Sequence, residues 1–351
     1  MKTAEARGLT RRNSIRSLAG IAAVGAASPL GVLSRAAFAE DKKPVVGSLA
    51  FPNWCQLAAA EKFGWLKAEG VEGKFDVRYF ESGPPEIEAA LGGSLQMMGI
   101  GAAPVINALA SNALPLRILG SVNEVTALFG LMAQKEIGSM ADLRGKKIAV
   151  TLGANYQYFL EAALADAGMS AKDVTLIDSQ PSEGTIAFLA GRVDATVPDY
   201  TDIKLIPRRR AGSHVLVSGT DIGKKGSSTF RIFDLWVAPQ KALDASRPVL
   251  SGVLRAVGRW AEYVGNPATR DQAVQFAVEW GGKMSGKALS KGDIAATMEG
   301  AHFYDAAGQK QLIESGVLAT GLKQQAEFLV KLNKLKRVPD FEAAVDKTFW
   351  S

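Results

Sequence analysis

The stretch from Phe80 to Pro104 constrains the fold more than any other. Phe80-Glu81-Ser82-Gly83-Pro84-Pro85 and Met98-Gly99-Ile100-Gly101-Ala102-Ala103-Pro104 each read as the end of a strand, a glycine turn and the start of a helix. Each turn brings a helix N-terminus, with its free backbone N–H groups, to the end of a strand, which is how α/β proteins build pockets for small anionic or polar ligands. No catalytic constellation accompanies it, so the pattern points to capture rather than conversion.

The first 39 residues read as an export leader. Arg11-Arg12 precede an Ala/Gly-rich run, and Ala37-Phe38-Ala39 fits a small-x-small cleavage pattern before Glu40. The paired arginines, the low apolarity of the run and Arg35 near the cut favour the twin-arginine route. The periplasm is the expected compartment, and Gly20, Gly25, Pro29 and Gly31 argue against a membrane anchor. The whole chain holds 41 basic and 35 acidic residues. The leader accounts for six of the former and one of the latter, leaving thirty-five against thirty-four. The basic balance therefore belongs to the leader and argues for no nucleic-acid or membrane partner. The local run Arg208-Arg209-Arg210 reads as a solvated helix end.

Cys55 is the only cysteine, so no intramolecular disulfide can form. His214 and His302 lack metal-ligand spacing, and no metal or cofactor is expected. In the body of the chain, apolar runs at 45–51, 75–80, 95–100 and 115–120 alternate with helical patterns at 56–68, 84–91 and 104–110. A second unit repeats the alternation, with strands at 147–151, 174–177, 194–197 and 215–217 and helices at 155–167 and 182–190. A further strand runs from Thr229 through Val237, and amphipathic helices follow at 250–264, 270–280, 288–300 and 309–334. The pattern predicts an α/β fold of two lobes, each a mainly parallel sheet flanked by helices, with the ligand cleft between them.

In order along the chain, Phe80-x-Ser82-Gly83-Pro84, Glu88-Ala89-Ala90-Leu91-x-Gly93, Gly99-x-Gly101-x-x-Pro104, Asp142-Leu143-Arg144-Gly145-Lys146, Gly191-x-Val193-Asp194-Ala195 and Phe233-Asp234-Leu235-Trp236-Val237 resemble the periplasmic substrate-binding proteins of ABC importers for taurine, aliphatic sulfonates and nitrate. The resemblance is strongest to the taurine binders, around Asp234 and from Ala326 to Pro339. It implies a type II, two-lobed periplasmic binding protein that closes by hinge motion. One lobe would be residues 44–133 plus 229–351 and the other 134–228. A monomer would capture a small sulfonate or zwitterion and present its closed form to an ABC permease in the inner membrane. Nitrate, an amino-acid-like compound and a pyrimidine precursor are alternative ligands. A thiamine-pyrimidine-synthase-like enzyme on the same scaffold is an alternative activity, but it would need a cysteine-rich motif that a single cysteine cannot supply.

The candidate binding residues are distributed over both lobes. Gly101, Ala102 and Ala103 would turn N–H groups into the cleft ahead of a helix starting at Pro104. Ser82 is a turn former or a ligand donor. In the first loop Asn53 and Trp54 would wall the ligand, with Trp54 alternatively closing the core edge. Across the cleft stand Asn155, read first as an N-cap, Tyr156, Pro181, Ser182 and Asp199. Asp199 and Asp234 are carboxylates beside apolar strands, costly without a partner. A ligand ammonium group is expected to serve Asp234. For Asp199 that reading stands level with a local lysine or arginine, and a carboxylate there would repel a sulfonate unless it faced an amine.

Overall fold

In the computed structural model, residues 43–222 and 230–350 are described, so the expected leader and the expected boundary at residue 229 lie outside the described residues. The first sheet contains β1 (Val45–Leu49), β2 (Asp76–Phe80), β3 (Met97–Gly101) and β4 (Leu116–Glu124). The second contains β5 (Gly130–Ala133), β6 (Lys147–Val150), β7 (Thr175–Asp178), β8 (Ala195–Thr196) and β9 (His214–Ser218), after which β10 (Phe233–Pro239) returns to the first. The two sheets have the same five-stranded layout, β2-β1-β3-β10-β4 and β7-β6-β8-β5-β9.

Helices α1 (Gln56–Lys62), α2 (Trp65–Ala68), α3 (Gly83–Leu91) and α4 (Ala102–Ala110) connect the strands of the first sheet. The second uses α5 (Asn155–Asp166), α6 (Pro181–Leu189) and α7 (Tyr200–Arg209). After β10 come α8 (Gln240–Gly265), α9 (Pro267–Ser285), α10 (Lys291–Gly300), α11 (Ala306–Glu314), α12 (Val317–Lys331) and α13 (Phe341–Ala344). Of these, α8 packs on α1 and α2, and α11 and α13 lie against β4. Two helices expected as continuous are broken. Gly64, at φ 72°, separates α1 from α2, and Gly316, at φ 73°, separates α11 from α12. In each case the glycine adopts a left-handed backbone that a helix cannot propagate.

The expectation of mainly parallel sheets holds for β1, β2 and β3 and for β6, β7 and β8, while β10 and β5 run antiparallel to their neighbours. These two strands are the ones by which the chain enters each sheet from the other. Because β5 hydrogen-bonds to β8 and β9, the second sheet begins at Gly130 rather than after the expected limit at residue 133. The two crossings run side by side. Val125 N–H donates to Ile232 O at 2.9 Å, Gly219 N–H to Phe129 O at 2.9 Å, and Ile232 N–H to Thr126 Oγ1 at 2.9 Å.

Gly219 permits this approach, since a Cβ there would stand 1.9 Å from the Thr126 carbonyl oxygen. Backbone cannot yield as a flexible side chain does. Gly219→Ala should therefore destabilise the fold by about 1–3 kcal/mol, measured by urea denaturation. A midpoint unchanged from the parent would mean that the crossings can separate without cost.

Candidate functional site

The C-terminal end of β3 faces α5, and one side chain spans the gap. Asn155 opens α5, but the N-cap is Ala154, which makes no side-chain cap. The expected capping role is thus corrected: the Asn155 amide points away from its own helix. Its Oδ1 accepts from Ala103 N–H at 2.9 Å, in the first turn of α4. Its Nδ2 donates to Phe233 O and to Asp234 Oδ1, both at 3.1 Å. A Cβ on Gly101 would lie 2.7 Å from that nitrogen, so the glycine makes room for the amide. The helix expected from Pro104 starts two residues earlier. Ala102 and Ala103 therefore form its first turn, while Gly101 ends β3.

Asp234 is 2% exposed and pairs with Gly101 on one side and Asn123 on the other. Burial holds its carboxyl well above the usual carboxylate range, and the Asn155 bond only partly opposes this. Among the described residues its Oδ2 has no partner, and neither do either oxygen of Glu86, either amide atom of Asn53, the Ser48 and Ser82 hydroxyls, Asn123 Oδ1 or the Trp54 indole N–H. Most of these residues belong to the ends of β1 and β4 and the loops that follow β1 and β2. Each unpaired buried polar group costs on the order of 1–3 kcal/mol. Such a concentration marks an interior suited to a polar guest rather than a self-sufficient core.

Glu86 was not among the residues singled out from the sequence. It lies in the first turn of α3 and reads there as an ordinary dipole-compensating acid. Its side chain is instead turned onto β1, where a Cβ on Gly47 would be 2.8 Å from Oε1. Burial, and secondarily the charge of Asp234, push its carboxyl well above the normal range. The available signal was Gly47, a glycine inside an apolar strand, which marks a close approach. Tyr200 was also missed. Its ring stands 6.5 Å from Tyr156, 5.2 Å from Phe129 and 6.4 Å from Phe51, so the aromatic cluster joins the loop after β1 to α5 and α7.

The remaining candidates divide between core, contact and site. Trp54 is fully buried in a short 3-10 turn at Pro52–Trp54, its ring against Gly99 and the apolar core of the first sheet. Ser82 is the N-cap of α3 but makes no capping bond. Pro181 and Ser182 open α6, and the Ser182 N–H donates across the gap to Glu81 Oε1 at 3.1 Å. For Asp199 the ammonium group comes from the protein. Asp199 caps α7 through the N–H groups of Thr201 and Asp202, and Lys287 Nζ lies 3.2 Å away. The same ammonium is 2.8 Å from Asp202, and Arg208 forks onto Asp293 at 2.6 and 2.9 Å. Arg208 is thus paired rather than merely solvated, and α7 is tied to the C-terminal helices at two points. Burial pushes the Cys55 thiol up, away from nucleophile chemistry. Among the described residues no group of His, Cys, Asp and Glu could hold a metal ion.

Two mixed sheets of equal order, joined by paired crossings around a polar interior, define the periplasmic-binding-protein fold. The chain belongs to the NMT1/THI5-like family, whose model matches residues 51–268. The alkanesulfonate-binding protein of Xanthomonas axonopodis pv. citri, solved with MOPS bound, superposes with a TM-score of 0.65 at 22% identity, over 86% of this chain and 97% of that one. The taurine-binding periplasmic protein of Escherichia coli is 24% identical over 277 residues, 78% of this chain and 83% of the relative. A candidate binding protein of Brucella abortus is 34% identical over 163 residues, 46% of this chain, so the match spans about half (49%) of that relative's length.

Two outcomes follow from the site. Asn155→Ala removes the partner of Ala103 N–H and of Asp234 Oδ1 and should cost on the order of 1–3 kcal/mol in chemical denaturation; an unchanged midpoint would show the bridge to be energetically idle. Glu86 has a raised folded pKa, so its contribution to stability is complete below its ordinary value of 4.5 and is lost as pH rises through the folded value. Glu86→Gln should therefore gain melting temperature over the parent progressively as pH rises above the ordinary value of 4.5. A difference that does not vary with pH would contradict the burial of an unpaired carboxyl.

Proposed function

We propose that this protein is the extracytoplasmic solute-binding component of an ABC importer, capturing a small sulfonate or a zwitterion such as taurine. In this reading residues 1–39 are the export leader, the working compartment is the periplasm, and the protein acts as a monomer without catalysing a reaction. The two sheets, with their helices, are the lobes. The crossing at 125–129, with Gly219 and Ile232 bonded beside it, is the hinge, and a permease in the inner membrane receives the closed form.

The observation that carries the proposal is the buried set of unpaired polar atoms at the facing strand ends, beside the N-termini of α3 and α4. That is where an α/β scaffold binds small polar solutes. The taurine and alkanesulfonate binders among the similar proteins support the choice of solute.

Thermal-shift screening of the mature protein against sulfonates, amino acids, nitrate and pyrimidines tests it. A ligand at one hundred times its Kd stabilises the folded state by about 2.7 kcal/mol, so a cognate sulfonate should raise the melting temperature by several degrees. No shift with any sulfonate removes the taurine assignment.

A further inference from the structure

We infer that Lys287 is a positioning residue for solute capture: by neutralising Asp199 and Asp202 it lets the second lobe close on the first, and it sets how much of the protein stands closed before a solute arrives. The inference rests on the two-lobed reading and deepens it, since it concerns how the same site is closed. Its starting point is that the ammonium and the two carboxylates belong to different sheets. The carboxylates are on α7, whose Ile206 shares a core cluster with Met132, Ala149 and Phe188 of the second sheet and α6. Lys287 follows α9, which is seated on the loop after β1 of the first sheet. A Cβ on Gly281 of α9 would stand 2.5 Å from the Pro52 ring.

The backbone around Lys287 is fixed locally. Gly286, at φ 65°, ends α9 with a left-handed residue. Lys287 N–H donates to Ser285 Oγ at 3.3 Å, and that hydroxyl donates to Gly281 O at 2.7 Å. From this turn Lys287 Nζ donates to Asp199 Oδ2 at 3.2 Å and to both Asp202 oxygens at 2.8 Å. Asp199 also accepts from the N–H groups of Thr201 and Asp202, so the ammonium grips the first turn of α7 itself. Tyr200 lies in that same turn, with its ring toward Phe51 and Tyr156. Holding the α7 N-terminus therefore holds Tyr200 against the loop after β1.

Burial separates this contact from the other one that α7 makes. The side chains of Asp199, Asp202 and Lys287 are 5%, 1% and 19% exposed, whereas Arg208, which forks onto Asp293, is 56% exposed. An exposed pair contributes little. In a buried one, removing a partner strands the charge that is left. Burial and the charge of Asp199 push the Asp202 carboxyl up, and the Lys287 ammonium holds it down. With the lobes apart, water solvates all three groups. With the lobes closed and the lysine gone, two carboxylates are buried side by side. Lys287 thus acts on the closed arrangement and not on the open one, and a protein closed only part of the time binds its solute more weakly in proportion.

Double electron–electron resonance on extensively dialysed mature protein reads the closure without a solute. Spin labels are placed at Glu88→Cys on α3 and Ile186→Cys on α6, both exposed, while the native Cys55 is buried. The parent should populate a short label separation, and Lys287→Met should lower the ratio of short to long separations at least about tenfold. Adding Asp202→Asn to Lys287→Met strands one carboxylate instead of two and should recover part of that ratio. Should the single variant not fold, this double variant, still below the parent, carries the comparison. A parent with long separations only, or folded variants with the parent's distribution, overturns the inference. Taurine, added afterwards, probes the other reading. Shortening by taurine with no difference between parent and Lys287→Met removes the role of Lys287 and keeps the solute proposal. The expected ordering with no response to taurine keeps the role of Lys287 and removes taurine as the solute.

Discussion

The carboxamide of Asn155 is the interaction on which the rest of this structure turns. It joins a helix N-terminus of one sheet to a helix that starts from the other, and it does so with both of its functional ends. The oxygen takes the Ala103 N–H and the nitrogen serves Asp234 and Phe233 O. Three features of the chain fit that one group. Gly101 leaves space for it, α4 begins early enough to present Ala103, and β10 enters antiparallel so that Asp234 arrives beside Gly101. The amide reaches only one of the two carboxyl oxygens of Asp234.

What Asn155 leaves unsatisfied is one carboxyl oxygen of Asp234. A core that merely closed the two sheets together would bury apolar side chains, as the first sheet does around Trp54, Met97 and Trp236. At the ends of β1 and β4, in the loops after β1 and β2 and in α3 the chain instead buries Glu86, Asn53, Asn123, Ser48 and Ser82 with atoms that have no partner among the described residues. The cost of that arrangement is several kcal/mol, and the ion pairs of α7 with Lys287 and Asp293 involve other groups and leave these atoms unpaired. A bound solute that supplies donors and acceptors pairs them, which is why the energetics and the functional reading point the same way.

Much of the fold was legible in the sequence because glycine turns and short apolar runs are local signals. The Ser82-Gly83-Pro84 and Gly99 to Pro104 turns fall at strand ends, and Gly168 and Gly191, at φ 68° and 71°, follow α5 and α6 as the caps required. The direction of β5 and β10 was not legible, since a short buried run reads the same whether its neighbours are parallel or antiparallel. The site was half legible for the same reason. Asp234 stood out as a carboxylate inside an apolar strand, whereas Glu86 sat where any helix tolerates an acid. Asn155 sat where any helix wants a cap, and only the position of the opposite sheet reveals what it bonds. Lys287, 88 residues from Asp199, shows the limit: its role depends wholly on how the C-terminal helices return to α7.

Native mass spectrometry of the protein purified without unfolding tests the central claim most directly, by comparing the parent with Asp234→Ala. If the polar interior between the sheets is the solute site, the parent retains a small-molecule adduct that the variant has lost while still folded. An adduct retained equally by both proteins would place the solute elsewhere and contradict the account.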